Sequence, residues 1–158
     1  MIRRVPACRI RSLDDVAAAV DSRSQRSVLI FDADNTLAPQ GAPAKDFGAL
    51  VNDAIDRFEA NAAVARVIVL TNGPQRGVAR LISRGNKPWT TRRRLGLRGE
   101  TAPLIVVGDQ VLTDGLLAWR LGAEYLHLVL DEEREPARQV VLRRIGRTLS
   151  RAFFKHAQ

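Results

Sequence analysis

The sequence predicts an α/β fold: a parallel sheet covered by helices on both faces, in a three-layer, Rossmann-like arrangement. Three observations predict it. Short apolar runs rich in β-branched residues recur along the chain, segments of helical period alternate with them, and polar clusters of Asp, Thr, Asn and Gly follow the first three runs. Such runs are too short for helices and read as strands buried on both faces. Strands that alternate with helices imply right-handed crossovers and hence parallel pairing.

Taken in order, Ser12-Leu13-Asp14-Asp15 opens an Ala-rich helix that continues to Val20, with Ser12 as its N-cap. Ser27-Val28-Leu29-Ile30-Phe31 is the first buried strand. A turn-rich segment with Pro39, Gly41 and Pro43 leads into a helix over Lys45 to Ala60, where Leu50, Val51, Ala54, Ile55 and Phe58 recur at helical spacing. Arg66 to Leu70 is a second strand and Gln75 to Ser83 reads as a helix. Leu104 to Val107 is a third strand, Leu112 to Leu121 a helix, and Tyr125 to Leu130 a fourth strand. Arg134 to Lys155 reads as a closing helix, with Val141, Ile145, Leu149 and Phe153 at four-residue spacing. No repeat, low-complexity tract or linker interrupts the series, so the 158 residues are expected to form one domain.

Composition narrows the classes. No apolar run approaches the roughly 20 residues of a spanning helix, and the basic N-terminus lacks the apolar stretch of a secretory signal; a cytoplasmic location is expected. Cys8 is the sole cysteine, which excludes a disulfide framework and a thiolate metal site. The net charge is +8, and of 25 basic residues only Lys45, Lys87 and Lys155 are lysines. The charge is segregated. Residues 60–99 hold nine basic and no acidic residues, and 134–158 hold seven basic against one acidic, whereas 27–59 and 100–133 are net acidic.

The acidic blocks contain the chemistry. In an open parallel sheet the ligand lies beyond the carboxyl ends of the strands. There the sequence places Asp32-Ala33-Asp34-Asn35-Thr36 after the first strand, Thr71-Asn72-Gly73 after the second, and Gly108-Asp109 with Asp114 after the third; Lys87 lies between the last two. Singly these are ordinary turn sequences. Together they bring four carboxylates and one amine to one sheet edge, which is costly unless a cation neutralises them. Hard oxygen ligands suit Mg²⁺, which takes one or two carboxylates, water and a phosphate oxygen. That set fits phosphoryl transfer.

The order and spacing of Asp32-x-Asp34-x-Thr36, Thr71-Asn72, Lys87 and Gly108-Asp109-x-x-x-x-Asp114 resemble the four motifs of the haloacid dehalogenase-like (HAD) superfamily. Asp32-Ala-Asp-Asn-Thr-Leu37, Val107-Gly-Asp-Gln-x-x-Thr-Asp114 and Arg120-Leu-Gly122 resemble more narrowly its YqeG-type, class IIIA branch, which includes phosphatidylglycerophosphate phosphatases. The resemblance implies a phosphomonoester hydrolase with an aspartyl-phosphate intermediate. Asp32 would be the nucleophile and Asp34 the general acid/base. Asp32, the Asp34 backbone carbonyl and Asp109 would hold Mg²⁺, with Asp114 supporting that shell. Thr71, Asn72 and Lys87 would bind the phosphoryl oxygens. Sixteen positions separate Thr71 from Lys87, where the family fits a helix and a strand, so an edge strand is expected to be shortened or missing, exposing the neighbouring strand and favouring either dimerisation or a flexible Lys87 loop.

Neither gap that hosts a cap in the superfamily is long enough for a large one, so the site is expected to be open and the substrate large or presented on a surface. The basic blocks then suggest an anionic membrane surface, with Trp89 and Phe154 as anchors, and a phospholipid head group as substrate. A soluble sugar phosphate or nucleotide is the alternative substrate. A weakly catalytic module that binds RNA, a ribosome or protein through its basic faces is the alternative class. His127, inside an apolar strand, is expected to be a satisfied core histidine, and Trp119 to pack within its helix.

Overall fold

The computed structural model describes residues 4–73, Val78, 81–84, 87–129 and 153–156. Its elements, in chain order, are β1 (Val5–Ile10), α1 (Leu13–Asp21), β2 (Ser27–Asp32), α2 (Ala44–Glu59), β3 (Val64–Thr71), β4 (Leu81–Arg84), β5 (Leu104–Gly108), a π-helical turn (Val111–Gly115) that runs into α3 (Leu116–Leu121), β6 (Glu124–Leu128) and β7 (Phe154–His156). Among the described residues the strands form one sheet in the order β4-β3-β2-β5-β6-β1-β7, with every pairing parallel. The α/β class and its parallel sheet are as expected.

Period-two alternation divides the core. Leu29, Phe31, Val67, Val69, Ile105 and Val107 point to the face covered by α1 and α2, where they meet Val16, Val20, Val51, Ile55 and Phe58. Val28, Ile30, Ile68, Leu70, Leu104 and Val106 point to the other face, against Leu117 and Leu121 of α3 and the loop residues Leu95 and Leu97. The local signals behave as the physics requires. Ser12 accepts from the Asp15 amide at 3.2 Å while the Asp15 carboxylate accepts from the Ser12 amide at 3.1 Å, a reciprocal cap that starts α1. Gly122, at φ 67°, ends α3 in the left-handed region.

Three expectations require correction. Leu81 to Ser83 belong not to a helix but to β4, which pairs Val69 with Leu81 and Thr71 with Arg84; residues 75–77, 79 and 80 of the expected helix lie outside the described residues. Of the two alternatives for the edge strand before Lys87, shortened or missing, the shortened one is found: β4 is four residues long and pairs with β3. The expected C-terminal helix lies outside the described residues over 134–152, and its end is a strand: Phe154–His156 pairs with β1. Phe154 is consequently no surface anchor. It is buried against Tyr125, with ring centroids 5.4 Å apart.

The chain order makes the crevice. From β2 the chain steps outward through β3 to β4, then returns to the other side of β2 to build β5 and β6. Connections leave the sheet in opposite directions at β2 and β5, and an open parallel sheet has its crevice where that reversal occurs, at the carboxyl edge.

Candidate active site

Asp32 is the last residue of β2 and Asp109 follows the last residue of β5, so the two carboxylates are carried by adjacent strands into the crevice. Beyond Asp32 the chain turns tightly. The amides of Leu37 and Ala38 both donate to the Ala33 carbonyl, at 3.1 and 3.2 Å, and Asn35 adopts φ 59°, a left-handed conformation that Asn tolerates better than most residues. The Asn35 side chain accepts from the Gln40 amide at 3.0 Å, which holds the turn closed.

Asp114 comes from the π-helical turn after β5 and is completely buried (0% exposed). Its backbone amide donates to the Gln110 carbonyl at 2.8 Å, and its carboxylate accepts from the Gln110 amide at 3.2 Å. Gly108 makes this approach possible: a Cβ there would lie 2.2 Å from Asp114 Oδ2. Asp32, Asp109 and Asp114 each offer a carboxylate oxygen within 4.8 Å of the others, a group that can hold a metal ion.

Lys87 closes the cluster. Only 8% exposed, its ammonium donates to Asp32 Oδ1 and, at 2.9 Å, to Asp114 Oδ1. Its backbone amide donates to the Asn72 side chain at 3.2 Å, tying the loop to the end of β3. The Lys87–Pro88 peptide is cis, and Leu95 and Leu97 bury the following segment in the core. Lys87 itself is held by these backbone and side-chain contacts, against the flexible placement expected as one alternative.

Asp34 and Thr71 meet beside this cluster: the Thr71 hydroxyl donates to Asp34 Oδ2 and accepts from the Gly73 amide at 2.8 Å. Asp32, Lys87, Asp109 and Asp114 are therefore linked by direct contacts or by the shared carboxylate group, while Asp34 and Thr71 form a separate pair two residues past Asp32 and at the end of β3. Asn72 joins through its side chain, which faces the Lys87 backbone. The acidic group that can hold a cation includes the Asp114 side chain, which had been expected only to support the metal shell.

The electrostatics are those of a site short of positive charge. Burial, and then the charge of Asp114, push Asp32 well above the usual carboxylate range against the opposing pull of Lys87. Burial and Asp114 likewise raise Asp109 to about 7. Burial alone would lower Lys87, but the charges of Asp114 and Asp32 outweigh it and hold the ammonium above its ordinary value. Fully ionised, three carboxylates and one ammonium leave two negative charges, which a divalent cation would balance. Asp109 Oδ1 is buried and has no hydrogen-bond partner among the described residues, which suits a cation ligand.

Several contributing residues carry no motif. Tyr125, on β6, donates its hydroxyl to the Gly108 carbonyl at 3.2 Å, and His127 Nε2 lies 3.1 Å from the Asp109 carbonyl. Both act on the backbone that aims Asp109. Only their alternate spacing on one strand was visible in the sequence, and it is equally the signature of ordinary packing. Trp119 packs on Phe153 at 5.0 Å, as a helix-packing residue should.

No protein-family profile matches the chain, and neither the curated proteins nor the solved structures compared with it include a match.

Proposed function

We propose that this chain is a Mg²⁺-dependent phosphomonoester hydrolase of the HAD type, working through an aspartyl-phosphate on Asp32. The observation that carries the reading is the convergence of Asp32, Lys87, Asp109 and Asp114 at the strand-order reversal, with Asp34 held two residues beyond Asp32 by Thr71.

The donor set fits the metal: hard carboxylate oxygens, an excess of two negative charges and a buried Asp109 oxygen that no described residue hydrogen-bonds. Asp32, Asp109 and Asp114 would hold it, together with the Asp34 carbonyl that the resemblance implies. Bound Mg²⁺ would supply positive charge that keeps Asp32 and Asp109 ionised and offsets the charge of the phosphoryl oxygens.

The remaining work belongs to the chain. An Asp32 oxygen attacks phosphorus, forming the new O–P bond as the ester O–P bond breaks and the leaving oxygen departs with the bonding pair. Asp34 gives that oxygen a proton and then takes one from the water that cleaves the acyl phosphate, which returns the Asp32 carboxylate and releases inorganic phosphate. Thr71 keeps the Asp34 carboxyl in position for both transfers. Lys87 neutralises charge on Asp32 and on the phosphoryl oxygens. A phospholipid head group, phosphatidylglycerophosphate, is the substrate the resemblance favours.

The test is phosphate release by the purified chain from p-nitrophenyl phosphate and from a panel of phosphatidylglycerophosphate in mixed micelles, sugar phosphates and nucleotides. Release that requires Mg²⁺ and falls at least ~10³-fold in Asp32→Asn is expected. Failure to turn over any member of the panel with Mg²⁺ present, or full activity in Asp32→Asn, overturns the enzyme reading.

A further inference from the structure

The amino edge of the sheet, opposite the acidic crevice, carries an arginine groove. Its cavity of about 540 Å³ is lined by Arg92, Arg93, Leu97, Arg98 and 99–101. Topology fixes its position. Thr101 lies just ahead of the first residue of β5, and Arg92 donates to the Leu121 carbonyl at the last residue of α3, at 3.0 Å. The crevice lies past the other end of β5, some 16 Å away at about 3.3 Å per residue. Whatever occupies the groove leaves the crevice open.

The groove is built rather than incidental. Leu95 and Leu97 are fully buried, so the arginines that flank them, Arg92 to Arg94 and Arg98, are displayed from an anchored loop. Arg66, on β3, donates to the Gly96 carbonyl at 3.2 Å and adds its own charge to the rim. Arg93, Arg94 and Arg98 are exposed and have no carboxylate partner among the described residues. The one acid of the loop, Glu100, is turned to the Ala102 amide at 2.9 Å. Trp89, 61% exposed, lies outside the groove lining but is joined to it through α3: the Arg120 guanidinium is 4.8 Å from its ring centre, and Arg92 holds the carbonyl of the next residue, Leu121. One indole face is thus backed by a cation.

We propose that this groove binds single-stranded nucleic acid, the phosphates following the arginines and a base stacking near Trp89. Such surfaces combine a basic groove with an aromatic platform. Planar guanidinium groups suit phosphate oxygens. A bilayer surface fits less well: of the three large apolar side chains exposed among the described residues, Leu50 lies on α2 across the sheet and Val129 follows β6 at the carboxyl edge, which leaves Trp89 alone near the groove. The proposal is independent of the phosphatase reading.

The test uses the full chain with a fluorescein-labelled oligo(U) of about 20 nucleotides, followed by anisotropy across a KCl series, beside co-sedimentation with phosphatidylcholine/phosphatidylglycerol (7:3) vesicles. Saturable RNA binding is expected, weakening with salt by about 0.7 log units per decade for each phosphate contacted. The triple variant Arg93→Ala/Arg94→Ala/Arg98→Ala should bind at least tenfold more weakly, the corresponding triple Lys variant should retain most binding, and Trp89→Ala should lose severalfold. Melting curves of the variants verify the fold. No RNA binding at low salt, equal binding by the triple Ala variant, or binding to vesicles without binding to RNA would each overturn the proposal. Phosphate release, measured in the same variants, is expected to be unchanged.

Discussion

Lys87 is one ammonium serving two buried carboxylates, so its loss strands both Asp32 and Asp114. Removing one member of a buried ion pair costs about 3–5 kcal/mol because the remaining charge stays desolvated. Lys87→Met is expected to lose that much stability by urea unfolding at neutral pH in EDTA, and less at pH 5, where Asp32, already pushed above the usual carboxylate range by burial, can take up a proton. Asp109 shows the opposite linkage. Its folded value of about 7 lies above the 3.8 of an unperturbed carboxyl, so the folded chain keeps a proton that the unfolded chain has released. The resulting stabilisation is complete below about pH 4, declines as pH rises, and is gone above about 7. Asp109→Asn does not titrate, so without metal its stability relative to the parent should climb between pH 4 and 7 and then level off. A flat difference would show that Asp109 is not desolvated as described.

At the scale of elements, the turn after β5 depends on a missing side chain. Ala at Gly108 would place its Cβ 2.2 Å from Asp114 Oδ2, so either the π-helical turn or the Asp114 carboxylate must move. Gly108→Ala should cost about 2–4 kcal/mol and weaken cation binding with it, read by urea unfolding and by Mg²⁺ titration calorimetry. Legibility follows the same line. β2, β3, β5 and β6 were plain in the sequence because each is an apolar run buried on both faces, and α2 because its stripe is long. β4 was not, because Val78, Leu81 and Ile82 fit a helical stripe and only pairing with β3 makes Leu81–Arg84 a strand. β1 hid behind Pro6 and Arg9, which face solvent while Val5 and Ala7 are buried, and three-residue β7 has no pattern of its own. The motif carboxylates were legible as a set. The support from Tyr125 and His127 was not, since a hydroxyl or imidazole reaching a neighbouring strand's carbonyl leaves no mark on spacing.

For the whole molecule, the net charge of +8 conceals two opposite ends. Carboxylates crowd the carboxyl edge of the sheet, and arginines line the groove at the amino edge. Asp32, Asp109 and Asp114 thus lie at the opposite edge from Arg92, Arg93 and Arg98, because segments that follow strands gather at one edge and those leading into strands at the other. The acidic end should tie a cation to global stability. At a hundredfold excess over its dissociation constant, Mg²⁺ should stabilise the chain by about 2.7 kcal/mol, or roughly 5–10 °C in Tm for a chain of this size. Asp109→Asn should lose most of that rise. No described helix is long and apolar enough to cross a membrane. The most direct test of the account is to quench the chain during turnover of p-nitrophenyl phosphate with Mg²⁺, reduce it with borohydride and map the products by mass spectrometry. The account predicts homoserine at position 32, dependent on substrate and Mg²⁺; turnover with Asp32 unmodified, or with the modification at another carboxylate, would contradict it.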